Sequence, residues 1–366
     1  MPSFDGSVAM NGESLCLQVR KDVGEQTRRL LIQLSLIDTN RKIAGDNVSI
    51  RIPLLRELSS EDWKAVKAVD PKAEIIAVES KYIQKINRHR NVVEFLRDRI
   101  DPSLLPYVRH SFDVIGDIAV IEVPPESGSL KKIFAEAILE VHKDVKTVLC
   151  KTGAVDGRFR VRTYEHVSGE AKTTTMYKEH GCRYFLDVTR AYFSPRLATE
   201  HLRVATQVSV HDVVVDMFSG IGPFAVLIAK KRGASVCAID ANPDAVDYMK
   251  TNCKLNKVGH LVRPVLGDAR DVVVKELKGV ASRVIMNLPS ESLDFIDVAC
   301  LALKPGGGIV HSYQFQSAPK PVNKASEALK AKLESMGRKL HSVIGGRLVR
   351  SYAPHEWQVV VDALVE

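Results

Sequence analysis

Apolar positions change rhythm along this chain, and the changes divide it into three regions. Leu15-Cys-Leu-Gln-Val19 reads as a strand, Gly24–Leu34 carries apolar residues at helical spacing, and Ile43–Pro53 returns as a strand. These form a small N-terminal α/β domain over residues 1–58, with residues 1–12 as a disordered leader. Residues 59–72 are polar and helix-prone and are expected to form a linker. A middle α+β domain, residues 73–176, follows. It holds a basic helical segment over Lys81–Arg99, strands on either side of the Gly116-Asp117 turn within Ser111–Pro124, a helix over Leu130–His142, and strands at Thr147–Cys150 and Phe159–Tyr164. From Tyr177 strands and helices alternate regularly, the pattern of a doubly wound, mainly parallel sheet. Seven strands are expected, at Val213–Met217, Ser235–Ile239, Val262–Leu266, Arg283–Asn287, Gly308–Tyr313, Leu340–Val349 and Trp357–Ala363. The third domain is thus a Rossmann-like α/β fold over residues 177–366.

Composition narrows the setting. Hydrophobic content of 45% across 366 residues can fill more than one core. There is no run of about 18 apolar residues, so a membrane span is not expected, and the first residues lack a secretion signal. The six cysteines are scattered without metal-ligand spacing, which fits free thiols in a reducing cytoplasm and gives no metal site. A formal charge of +8 favours an anionic partner without proving one. Between Lys143 and Arg203 there are twelve basic and seven acidic residues, so the excess gathers where the chain enters its last region.

Candidate chemistry starts from Val213-Val-Val-Asp-Met-Phe-Ser-Gly-Ile-Gly-Pro-Phe-Ala225, a strand that ends at an acid, turns through Gly220 and Gly222, and opens a helix. Such a turn lets the backbone approach a ligand and points free N–H groups at it. Asp240 ends the second strand, about twenty residues after Gly220, where an acid meets ribose hydroxyls. A dinucleotide dehydrogenase would share both features. It would not need Asp268 after the third strand or Asn287-Leu-Pro-Ser290 after the fourth. Asp268 read alone is equally well a helix cap. Together, Phe218, Gly220, Gly222, Asp240, Asp268 and Asn287 outline a site for S-adenosylmethionine.

Asn287 can both donate to and accept from a base edge, and Pro289 stiffens its loop. Ser290 stands where exocyclic-amine methyltransferases commonly carry an aromatic residue, which favours a ring nitrogen as the target. Guanine N1 is protonated at neutral pH, so its methylation needs a proton acceptor and a group to stabilise the charge on O6. Glu200 and Arg160 are candidates for those two tasks.

Gly24-Glu-Gln-Thr-Arg-Arg29, Phe159-Arg-Val-Arg162, Tyr192-Phe-Ser-Pro-Arg-Leu197, Asp216–Phe224, Ile285–Pro289 and Ser351-Tyr-Ala-Pro354 occur in an order that resembles the archaeal and eukaryotic tRNA guanine-37 N1-methyltransferase family over nearly the whole chain. The resemblance implies a class I methyltransferase domain behind two smaller domains, the first of which checks the tRNA elbow. It implies Arg160 at O6, Glu200 as general base, Asn287 on the target guanine, and Tyr192, Arg196 and Pro289 around the pocket. It also implies a cytoplasmic, monomeric protein whose partner is folded tRNA. His201 departs from the family, which often has arginine there. The alternatives are the related aminocarboxypropyl transferase of wybutosine synthesis and a non-catalytic RNA-binding protein.

Overall fold

The computed structural model describes residues 13–38, 41–79, 91–97, 99–101, 112–123, 128, 130–153, 157, 159 and 161–366. The expected leader, residues 81–90 and 98 of the expected basic helix, and Arg160 lie outside them. The chain divides into two compact units, Met1–Arg88 and His89–Glu366.

In the first unit, β1 (Glu13–Arg20) pairs antiparallel with both β3 (Ser49–Pro53) and β4 (Glu74–Glu79), and β2 (Ala44–Gly45) extends the sheet beyond β3. The single strand expected over Ile43–Pro53 is broken because Asp46 Oδ1 accepts the N–H groups of Val48 and Ser49 and turns the chain. Helix α1 (Gly24–Gln33) packs Leu31 against Leu17, Ile52 and Leu54.

The linker expected over residues 59–72 needs correction. Ser60–Val69 is helix α2, opened by a reciprocal cap in which Ser59 accepts from the Asp62 N–H and Asp62 accepts from the Ser59 N–H. Of its apolar residues, Trp63 and Val66 pack into the same core, so the helix-prone stretch is a helix with one buried stripe and belongs to the first unit. With β4 hydrogen-bonded to β1, the first unit extends past both of the expected boundaries, 58 and 73.

The second unit begins with α3 (Val92–Arg97) and a four-stranded sheet of β5 (Asp113–Ile115), β6 (Ile118–Ile121), β7 (Thr147–Lys151) and β8 (Tyr164–Gly169), covered by α4 (Lys131–Val141). The strand expected over Phe159–Tyr164 starts only at Tyr164. Next comes a hairpin that the sequence reading missed, β9 (Thr174–Glu179) and β10 (Cys182–Asp187). Its turn residues His180 and Gly181 both have positive φ, the geometry that joins twisted antiparallel strands tightly. The hairpin spans the expected 176/177 boundary. Its Tyr184 and Leu186 share one core with Ile118 of β6, Leu149 of β7 and the helices beyond, so no break in packing occurs there.

The hairpin leads through α5 (Ala198–Gln207) into a seven-stranded sheet. Its strands are β11 (Val213–Asp216), β12 (Ser235–Asp240), β13 (Val262–Leu266), β14 (Arg283–Met286), β15 (Gly308–Ser317), β16 (Leu340–Ala353) and β17 (Glu356–Val365). They lie in the order β13-β12-β11-β14-β15-β17-β16. The first five are parallel, and β17 and β16 run antiparallel. Helices α6 (Pro223–Arg232), α7 (Pro243–Leu255), α8 (Ala269–Glu276), α9 (Ile296–Ala302) and α10 (Pro321–Ser335) cover its two faces. Strand order reverses between β11 and β14, which opens a crevice at their carboxyl ends.

Candidate active site

The crevice encloses about 210 Å³. Its walls include Phe218, Gly220, Asp240, Asp268, Asn287 and Pro289, with Tyr192, Phe295, Arg350 and Gln358 completing the rim. Gly220 at φ +54° occupies the left-handed region and donates its N–H to Asp240 Oδ2 at 2.7 Å. The Asn242 N–H reaches Asp240 Oδ1 at 2.9 Å, so two backbone donors fix that carboxylate at the crevice edge. Burial raises the pKa of Asp240. Phe218 meets Phe295 edge to face at 5.0 Å, forming an apolar wall suited to a flat ring.

Gly222 does not line the crevice. Its φ is +86°, and an added Cβ would stand 2.9 Å from Met249 Cγ, so it is required by the backbone and by packing. Asp268 lines the crevice and also caps α8, accepting the Arg270 N–H at 2.9 Å.

Asp216 was not singled out from the sequence as a site residue. It ends β11 fully buried, and neither carboxylate oxygen has a hydrogen-bond partner. Burial first and Asp240 second push its carboxyl up to about 8. A buried acid left without a partner beneath a glycine turn fits a site that receives a polar or cationic ligand group. That fit, the fixed Asp240 carboxylate and the aromatic wall match the chemistry of S-adenosylmethionine.

A second, polar cavity of about 180 Å³ adjoins the first, and Tyr192 and Arg350 belong to both walls. Arg162, Tyr164, Arg196 and Tyr352 also line it. Arg196 donates to Asp113 Oδ1 at 2.6 Å and faces this cavity, not the crevice.

Glu200 lines neither cavity. It is 2% exposed on α5, and its Oε1 accepts from the Tyr313 hydroxyl at 2.8 Å and from Arg203 Nη2 at 2.6 Å. Its Oε2 has no hydrogen-bond partner, and Arg347 Nε stands 3.9 Å away. Arg203 also binds Asp362, which takes a further bond from His311. Burial would raise the Asp362 carboxyl, but His311 and Arg203 hold it well below the usual range.

His201 is accounted for by the core. Its Nδ1 is 2.8 Å from Glu179 Oε1, both side chains are buried, and its ring packs edge-on against Phe224. Asp362 and Gln358 carried a legible signal, since each interrupts the apolar run of a strand with neighbours on both sides.

A sheet in this order, with a glycine turn after its first strand and an acid ending its second, defines a class I methyltransferase fold. Comparison with known proteins carries this to a family. The TRM5/TYW2 methyltransferase domain profile matches residues 175–341, the TYW2 N-terminal domain profile residues 92–173, and the tRNA methyltransferase 5 N-terminal domain profile residues 16–62. The chain is 37% identical over 349 residues to the tRNA (guanine(37)-N(1))-methyltransferase Trm5b of Pyrococcus abyssi, covering 95% of this chain and 98% of that one. It is 40% identical over 255 residues to the tRNA 4-demethylwyosine(37)-methyltransferase Taw21 of Saccharolobus solfataricus, covering 68% of this chain and 92% of that one. The solved complex of aTrm5 and tRNALeu superposes with a TM-score of 0.77, at 33% identity over 96% of this chain and all of that one. The chain belongs to the TRM5/TYW2 methyltransferase family.

Proposed function

We propose that this enzyme uses S-adenosylmethionine to methylate N1 of guanosine 37 of tRNA, the nucleotide 3′ of the anticodon. The observation that carries this reading is the Asn287-Leu-Pro289 loop, which shares one crevice with Asp240 and the Gly220 turn. Bound S-adenosylmethionine supplies an electrophilic methyl group on a sulfonium. Asp240 would hold ribose hydroxyls, the wall of Phe218 and Phe295 would face the adenine, and Asp268 would border it. The target guanine leaves the anticodon stack and enters past Tyr192, between the polar cavity and the crevice, to meet Asn287 and Pro289. Arg196 serves the polar cavity, where RNA backbone passes.

Glu200 is the proton acceptor for N1, acting through Oε2, while Arg203 and Tyr313 hold Oε1 in place. Substrate entry must bring N1 to this buried oxygen, and half-exposed Arg347 is the group beside it. Arg160 stabilises the charge that develops on O6. The partner is folded tRNA, bound by a single protein chain in the cytoplasm.

The 40% identity to a 4-demethylwyosine methyltransferase favours one second reading, methylation of a tricyclic base at the same tRNA position. Against it stands the N-terminal domain match at residues 16–62. Mapping the methylated atom in an unmodified tRNA transcript separates the two, since only guanosine N1 methylation proceeds without a preformed tricyclic base. Glu200→Gln should then reduce the single-turnover rate by about 100-fold or more, with cofactor affinity unchanged. Full single-turnover activity in that variant would remove Glu200 as the base.

A further inference from the structure

Arg350 and Gln358 stand directly opposite one another on β16 and β17. Arg350 Nε donates to Gln358 Oε1 at 2.7 Å, and Gln358 Nε2 donates to Asn287 Oδ1 at 3.3 Å. Arg350 is itself anchored, since its remaining nitrogens donate to Ser194 Oγ and to the Tyr192 hydroxyl, each at 3.2 Å. Gln358 is 1% exposed, so water cannot substitute for either of its contacts.

An amide can turn about its last bond and exchange donor for acceptor, but a guanidinium has only donors. Arg350 therefore sets the polarity of the whole chain. Gln358 must offer it Oε1, which leaves Nε2 to face Asn287. Asn287 must answer with Oδ1, which leaves its Nδ2 turned to the crevice. The ambiguity that an isolated asparagine would have is removed two residues away.

We infer that Arg350 and Gln358 are positioning residues that lock the Asn287 amide with its donor toward the crevice, so that the pocket reads a hydrogen-bond acceptor on the edge of the target base. This rests on the proposed role of the crevice as the guanine site. It assigns a task to two residues that touch neither reacting atom.

Gln358→Glu and Gln358→Met distinguish this role from a structural one. In Gln358→Glu the pairing with Arg350 is kept, but the carboxylate accepts only, so Asn287 must turn, donate Nδ2 to it and present Oδ1 to the base. In Gln358→Met both contacts vanish and Asn287 can still turn either way. Positioning predicts that Gln358→Glu loses about 100-fold in single-turnover methyl transfer to a tRNA transcript and Gln358→Met about tenfold. Any loss of S-adenosylhomocysteine affinity should be much smaller than the loss of rate in Gln358→Glu. A structural role predicts the reverse order, because Glu keeps the buried contacts and Met abandons them.

Asn287→Asp supplies a second route, since it keeps the bond from Gln358 and turns an acceptor to the crevice. It should match Gln358→Glu. Should Gln358→Met fail to fold, a Gln358→Glu rate within about threefold of wild type would still overturn the inference, as would an unimpaired Asn287→Asp. Wild-type protein that transfers no methyl to guanosine 37 would defeat the functional reading itself. Wild-type transfer with Gln358→Glu no slower than Gln358→Met would defeat only the positioning role.

Discussion

Asp216 carries the largest electrostatic tension next to the crevice. Its carboxyl is pushed from an ordinary value near 3.8 up to about 8, by burial and then by Asp240. A raised acid binds its proton more tightly in the folded state, so its contribution to stability is complete below the unfolded value and is lost as pH rises through the folded one. Between about pH 4 and 8 the cost grows by about 1.4 kcal/mol per pH unit at most. Asp216→Asn should therefore stabilise the ligand-free enzyme, with the gain over wild type widening from pH 5 to 8 and levelling above it. Urea unfolding across that range measures the difference, and a gain that does not change with pH would show that ionisation of Asp216 is not its source. The sequence displayed Asp216 at a strand end, but not how little would offset its burial: the Phe218 N–H is the smallest influence on its carboxyl, and no side-chain donor pairs with it. That depends on which side chains the sheet brings nearby, and here it brings Asp240.

Among elements, the β9–β10 hairpin matters most because it connects the crevice turn to the outer layers. Asn252 of α7 is wholly buried and accepts the Phe185 N–H from β10 at 2.7 Å while donating to the Ile221 carbonyl in the glycine turn at 3.1 Å. One turn on, Asn256 accepts the Arg183 N–H and donates to its carbonyl. Asn252→Ala would leave two buried backbone groups unpaired at once, a loss of about 2–4 kcal/mol. Cofactor affinity should fall with it, because Ile221 lies between Gly220 and Gly222. Thermal melting with and without S-adenosylhomocysteine tests both effects, and a variant as stable as wild type would mean that the Asn252 contacts do not hold the hairpin.

The same hairpin shows where sequence reading reaches its limit. The strands of the parallel sheet were legible because buried β-branched runs such as Val213-Val-Val215 alternate with helices. The crevice was legible because glycines and acids must stand at strand ends. Thr174–Asp187 has no buried β-branched run and no helix between its strands, and its inward residues, Thr175, Cys182, Tyr184 and Leu186, are of mixed type. Partnerships across long separations, such as Gln358 with Asn287 or Arg203 with Asp362, follow from strand order and register and could not be read from spacing.

At the scale of the whole molecule, the two units have separate cores, and the boundary between them decides how the N-terminal unit can be tested. Residues 1–58 include β1, and β1 is the hydrogen-bonding partner of β4, which lies beyond the expected linker. A chain beginning at residue 59 would keep α2 and β4 without their sheet, exposing Val66 and Ala73, which are buried in that core, and leaving β4 as a free edge. It should aggregate. A chain beginning at residue 89 carries none of these segments and should keep the oligomeric state of the full chain and melt cooperatively. If the first unit reads the tRNA elbow, the shorter chain should methylate an isolated anticodon stem-loop as fast as the full enzyme does. It should lose affinity for full-length tRNA, with a shallower dependence on salt because fewer phosphates are neutralised. Equal losses on stem-loop and full-length tRNA would assign the first unit to folding support instead of elbow recognition.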